Sequence, residues 1–239
     1  MNETKESRQL KKHMIPAGMI LRVMGFLALF GVPGKMRAIH LAANRAVWEK
    51  YRLSLSGSLP FIEDQSGMGE FIYGRPNAFL GRRLLEGRQL CGRENACEVI
   101  ATYNALLTLE PQNHPELPEL FEHFERRGVS LGGYFGTSFG AVIAYLKKRR
   151  LPMRVYRGQK ITPLCLEEGE RDGKKVCIMM AENRAGHLKE MVHTICITRQ
   201  EEGWKAHNDY EGSKLYPTLK EAVLGYHKGA GRALGVILL

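Results

Sequence analysis

Hydrophobic positions along the chain change period near residue 150, and that change predicts the fold class. Before it, apolar residues recur at helical spacing. Ala96, Val99, Ile100, Tyr103, Leu106 and Leu107 form one stripe and predict the clearest helix, over residues 92–109. Residues 17–31 and 35–52 predict two more helices, parted by the turn signal Val32-Pro33-Gly34. In the second, Met36, Ile39, His40, Ala43, Val47 and Tyr51 mark the expected buried face. A short helix over 117–127 ends at Gly128, and another over 139–150 is capped by Thr137 or Ser138. After residue 150, segments 153–156, 175–181, 187–198 and 204–208 read as strands, with a hairpin turn at 201–203 between the last two. A final helix is predicted over 219–226. Helices come first and an antiparallel sheet follows, which is α+β organisation. Residues 53–90 are rich in Gly, Ser and Pro and are expected to form a long loop lining a site.

With 239 residues and 44% hydrophobic content, the chain can bury one substantial core plus an N-terminal extension. We divide it into a basic, apolar helical appendage over 1–55 and a main domain over 56–239. The net charge of +10 is uneven: residues 1–50 hold nine Lys/Arg against three Glu. Such a segment can meet an anionic membrane surface, so residues 14–50 are a candidate membrane contact. The apolar run 14–32 is interrupted by Pro16, Gly18 and Arg22, which argues for a packed or surface-lying helix over a spanning one. The expected location is cytoplasmic, with peripheral attachment as an option. The basic run Lys147 to Arg150 ends a helix, where cations complement the dipole, and no aromatic stacking platform accompanies it, so no nucleic-acid partner is expected. The five cysteines, Cys91, Cys97, Cys165, Cys177 and Cys196, are odd in number and lack CxxC spacing. That excludes a zinc site of the usual pattern and argues against a disulfide framework. No metal or organic cofactor is expected.

Candidate chemistry lies in the order cysteine, histidine, carboxylate. Cys91-Gly92 opens the predicted central helix, whose first amides can lower a thiol pKa and hold an oxyanion. Cys97 is expected to sit further along the helix, buried and inert, and the remaining cysteines read as core. His193 lies in an otherwise apolar strand, and Asp209 follows sixteen positions later across the hairpin. Pairing across the turn would set residue 193 beside 208 or 209, so Asp209 can orient the imidazole, with Asn208 as the alternative. His187 and His207 are weaker candidates.

Three stretches resemble the papain-like cysteine peptidase superfamily, and within it the peptidases that cut double-glycine leaders from bacteriocin precursors. Cys91-Gly92 followed by Ala96-Cys97-Glu98-Val99-Ile100 is similar to that group's nucleophile helix. Gly136-Thr137-Ser138, with Val142, Leu146 and Arg154-Val155-Tyr156, resembles its Gly-Thr-Ser helix and following strand. His193, the hairpin and Asn208-Asp209 resemble its histidine strand and aspartate. The likeness covers roughly residues 85–225. Arg93 stands where the group has proline after Cys-Gly, and Tyr210 where it has proline after the aspartate. Leu85 and Glu86 occupy the region of its oxyanion glutamine, which makes Gln89 the candidate, with Gln65 as the other.

The resemblance implies a papain-like fold and a cysteine hydrolase acting on a peptide through a thioester. Cys91 would be the nucleophile, His193 the base and Asp209 the orienting group. The alternatives are an acyl transferase using the same chemistry with an amine acceptor, and a non-catalytic, membrane-associated binding protein on the same scaffold.

Overall fold

The computed structural model describes residues 16–28, 31–55, 59–75, 90–182, 192–209, 214–225 and 232–239. Among the described residues, eight α-helices, four short 3-10 turns and a six-stranded sheet form an α+β arrangement. The helices are α1 (Ala17–Leu27), α2 (Gly34–Tyr51), the single turn α3 (Gly92–Asn95), α4 (Cys97–Leu109), α5 (Leu117–Arg127), α6 (Phe139–Lys148), α7 (Pro163–Arg171) and α8 (Leu219–Leu224). The strands are β1 (Arg154–Arg157), β2 (Val176–Glu182), β3 (His193–Gln200), β4 (Gly203–His207), β5 (Leu215–Tyr216) and β6 (Arg232–Leu238).

The sheet runs β1-β6-β2-β3-β4-β5, every pair antiparallel. Alternation along the strands divides its side chains between two cores. Ile178, Met180, Cys196 and Ile237 face α4 and the other N-terminal helices. Cys177, Met179, Ile195, Ile197 and Val236 pack with Leu166 of α7 and Ala222 and Val223 of α8. Burial on both faces explains why β2 is apolar from Val176 to Ala181 without alternation. Strand β6, absent from the predicted elements, sits between β1 and β2 and bridges them.

Helix α4 crosses the middle of the molecule, and every residue from Cys97 to Leu107 is buried. The predicted stripe is therefore only part of its contact surface. Two of its polar residues, Thr102 and Asn104, are satisfied within the protein. Thr102 donates to the Glu98 carbonyl at 2.7 Å, and Asn104 clamps both the N–H and the carbonyl of Ile62, at 3.0 and 2.9 Å. That clamp draws the Gly/Ser/Pro-rich segment inward: Ile62, Met68, Phe71 and Tyr73 are fully buried. Residues 59–75 are thus a largely irregular segment anchored in the core at Ile62, Met68, Phe71 and Tyr73, with Asp64, Ser66, Gly67, Gly69 and Glu70 exposed between the anchors.

The N-terminal helices belong to the same body. Ile20 and Met24 of α1 and Trp48 of α2 join the main core cluster. The fully buried residues of α2 are His40, Asn44 and Trp48; Met36, Val47 and Tyr51 of the predicted stripe pack partly buried against the same core, and Ile39 points to solvent. Polar bonds choose that face. His40 pairs with Glu125 of α5 at 2.7 Å, while Asn44 exchanges two 2.8 Å bonds with the main chain of Ile72. Among the described residues, no helix is long and apolar enough to cross a membrane.

Candidate functional site

The predicted nucleophile helix is broken. Ala96 leaves helical geometry at φ −102°, ψ 13°, and divides the one-turn α3 from the thirteen-residue α4. Cys91 caps α3, half-buried, in extended conformation and bridged to Ile72. A single turn aligns few peptide dipoles, so the field at Cys91 is weaker than a continuous helix would give. Two first-turn amides are already used: Gly92 donates to the Phe71 carbonyl at 2.8 Å and Glu94 to the Cys91 carbonyl at 3.0 Å. Gly92 is needed for close packing, since a Cβ there would stand 3.1 Å from the Met68 carbonyl oxygen.

His193 begins β3 and is buried. The hairpin ladder runs from Gln200↔Gly203 to Cys196↔His207 and stops there. Asn208 then takes a left-handed φ of 62°, which peels the chain away from β3. Its main-chain carbonyl swings to within 2.7 Å of His193 Nε2. A carbonyl only accepts, so Nε2 carries the proton and Nδ1 is the basic nitrogen. Burial pushes the imidazole pKa down to about 4 against the opposing effect of that bond. Asp209 follows, half-buried. The sequence-predicted juxtaposition of 193 with 208 therefore holds, through the carbonyl of Asn208 and a left-handed residue rather than through continued strand pairing.

Gln65 links this end of the hairpin to the Cys91 turn. Its main-chain N–H donates to Asn208 Oδ1 at 2.9 Å, and its side-chain oxygen accepts from Asn208 Nδ2 at 3.1 Å. Gln65 Nε2 donates to the Arg93 carbonyl at 2.8 Å, two residues beyond Cys91. A relay thus runs from His193 through Asn208 and Gln65 to the segment that Cys91 opens. Gln65 is half-buried, and its amide carries a second N–H. Gln89, the other glutamine candidate, and His187 lie outside the described residues.

A second cluster surrounds Glu98, which sequence reasoning passed over. Its carboxyl accepts from the Thr137 N–H at 3.1 Å, from the Cys97 thiol at 3.4 Å and from the Thr194 hydroxyl at 3.3 Å. Burial nevertheless pushes its pKa up to about 7. Cys97 is the first residue of α4, and burial followed by the Glu98 charge drives its thiol well above the usual range. The Gly-Thr-Ser stretch now has a physical account. Gly136, at φ 62°, has no room for a Cβ, which would stand 2.8 Å from Glu98 Oε2. Thr137 meets both Glu98 and the Tyr73 hydroxyl, and Ser138 caps α6 through Ala141 N.

His207 forms a hydroxyl–imidazole–carboxylate chain, with Thr198 Oγ1 at 2.7 Å and Glu63 Oε2 at 2.9 Å. Thr198 is fully buried and also accepts from Gln200 Nε2, so its hydroxyl cannot meet a substrate, and the chain braces β3, β4 and the 61–64 segment. Cys165, Cys177 and Cys196 are buried. Compared with known protein families, curated proteins and solved structures, the chain matches none.

Proposed function

We propose that this chain is a papain-like cysteine hydrolase that cleaves a peptide or amide bond through a thioester on Cys91. The observation that supports this reading best is the relay from His193 through Asn208 and Gln65 to the Cys91 turn. Its hydrogen bonds connect an imidazole with a fixed tautomer, through an amide-bearing residue, to the turn that the half-buried Cys91 opens. In this reaction Nδ1 of His193 takes the thiol proton and Sγ of Cys91 attacks the carbonyl carbon. The tetrahedral oxyanion draws on the second N–H of Gln65, and Gln89 is the other candidate for that place. The amine leaves with the proton held by His193, and water then hydrolyses the thioester, returning the thiol. Asn208 holds the ring through Nε2, and Asp209, the next residue in the chain, is the carboxylate assigned to orient it. A pKa near 4 makes His193 a neutral base rather than the charged half of a resting ion pair.

Cys97 is the second reading for the nucleophile. It heads the long helix, and its thiol is hydrogen-bonded to a carboxyl whose pKa lies near neutrality. Treatment with a panel of peptide acyloxymethyl ketones, read by peptide mass, separates the two. An adduct on Cys91 that is lost in His193→Ala supports the first reading, and an adduct on Cys97 transfers the role. Absence of adducts from both sinks the hydrolase proposal. Product analysis with added amines distinguishes hydrolysis from acyl transfer. For the N-terminal region we infer contact with an anionic membrane surface. It is supported by Met19, Val23 and Phe26 standing exposed on α1 around Arg22. Cosedimentation with anionic vesicles, weakened in Phe26→Asp, is the expected outcome, and equal binding of both proteins would count against it.

A further inference from the structure

Beneath α1 lies a cavity of about 270 Å³, and one of its lining residues is Cys97. Met19, Ile20, Val23, Met24 and Leu27 of α1 form one wall, and Phe135 and Val192 add to the apolar lining. That wall extends for roughly 12 Å along the helix axis, so the space favours an extended chain over a compact ring. An apolar cavity of roughly 150 Å³ already admits a benzene-sized molecule, and this one is larger. Met19, Val23 and Phe135 are partly exposed, so the cavity opens to solvent beside α1.

The polar residues of the lining offer little to a charged ligand. Asn95 Nδ2 is committed to the carbonyls of Tyr73 and Gly133 at 3.2 and 2.8 Å, and its Oδ1 and the Tyr134 hydroxyl are closed off by packing. The Glu98 carboxyl is buried and taken up by Thr137, Thr194 and Cys97. Glu94 is exposed and solvated, and among the described residues the lining holds no Lys, Arg or His. An anion would therefore find no cation, and an ammonium would reach only the solvated Glu94 carboxylate, a pairing of little net value. A hydrocarbon gains by leaving water for this wall. Cys97 is the nucleophilic residue of the lining, and it keeps 6% of its surface where Cys177 and Cys196 keep none. Its Sγ donates to Glu98 Oε2 at 3.4 Å and lies beside the main chain of Thr194, the residue after His193. The cavity thus joins a hydrocarbon wall to a thiol at the head of α4.

We propose that this cavity is the acyl pocket of the Cys97 site, and that the substrate's acyl group is an uncharged aliphatic chain lying along α1 with its carbonyl carbon at Cys97 Sγ. The proposal rests on the reading in which Cys97 is the nucleophile. The Sγ–C bond forms as the amide C–N bond breaks, and the thiol proton passes by way of the Glu98 carboxyl to the departing amine. Water then releases the acid and restores the thiol. The test uses the full chain and three aryl acyloxymethyl ketones that carry a methyl, an n-heptyl or a 6-carboxyhexyl group on the ketone. Each alkylates a thiol by forming an Sγ–CH2 bond and expelling the aryl carboxylate, with the thiol proton lost to buffer. The rate of adduct formation at Cys97 is read by peptide mass. The n-heptyl reagent should react at least about tenfold faster than the methyl one, the gain expected from burying two methylenes. The 6-carboxyhexyl reagent should gain nothing over methyl, because its carboxylate keeps the chain end in water.

Val23→Trp fills the cavity from a half-exposed position and should erase the n-heptyl advantage, with a circular dichroism melt confirming the fold. Met19→Asp, at a second half-exposed position, puts a charge on the same wall and should reduce it too. Equal rates for the n-heptyl and methyl reagents at Cys97, a 6-carboxyhexyl reagent as fast as the n-heptyl one, or an advantage kept in both folded variants would each overturn the pocket while leaving Cys97 as a nucleophile. No adduct on Cys97 from either the methyl or the n-heptyl reagent would instead remove the Cys97 reading, and this proposal with it.

Discussion

Glu98 and His193 meet the same cost from opposite sides: each is buried, and burial disfavours its charged form. Between about pH 4.5 and 7 the folded state keeps a proton on Glu98 that the unfolded chain has lost, so this group loses stability as pH rises. Between about pH 4 and 6.5 the unfolded chain holds a proton that buried His193 refuses, so that group loses stability as pH falls. Inside its window each trend is worth about 1.4 kcal/mol per pH unit, and the two oppose where they overlap. Glu98→Gln should therefore uncover the histidine, and denaturant titrations should show stability falling from pH 6.5 to 5 by about 2 kcal/mol more than in wild type. His193→Gln should show the reverse trend, and a profile unchanged in both variants would contradict these assignments. Gln65→Ala should slow adduct formation at the nucleophile by about a hundredfold if its amide holds the oxyanion, with the site of the adduct unchanged. His193 and Asn208 were legible as residues because their spacing follows hairpin arithmetic. Glu98 and Asn95 were not, since nothing local distinguishes a buried helix carboxyl or amide from a solvated one.

At the scale of elements, period and capping chemistry located most helices and strands, and polar partners then adjusted them. Ser138 caps α6 and a break follows Arg127, as the local residues dictate. The packed face of α2 keeps Met36, His40, Val47 and Tyr51 of its predicted stripe and takes in Asn44, because Glu125 and the main chain of Ile72 supply partners for His40 and Asn44. Glu125 is buried, and it also accepts from the Gly74 N–H at 2.8 Å. Burial raises its pKa against the pairing with His40. His40→Ala should leave that carboxyl without its closest partner and lower stability by about 3 kcal/mol near pH 7, read by urea denaturation. A loss below about 0.5 kcal/mol, the range of ordinary surface substitutions, would mean the pair contributes nothing net. The break at Ala96 was not visible either. Residues 92–109 carry one helical pattern, and the division follows from where residues 68–71 and the Gly133 carbonyl hold α3.

For the whole molecule, the decisive element is the one that sequence pattern left unassigned. Strand β6 is a central strand, and it alone joins β1 to the rest of the sheet. Deleting residues 232–239 should abolish cooperative unfolding, whereas Leu215→Pro in the two-residue edge strand β5 should leave a single cooperative transition; circular dichroism melts of the two proteins check this. The amino-acid sequence by itself determined the fold class, the order of helices before sheet, the hairpin that brings residue 193 towards 208, and the composition that disfavours a zinc or disulfide framework. These are properties of period, turn chemistry and spacing, all local. Tertiary structure alone decided the strand order, the joining of the N-terminal helices to the common core, and the Gln65 relay. Each of these depends on contacts between residues far apart in the chain, where burial and the supply of hydrogen-bond partners, rather than local propensity, set the free energy.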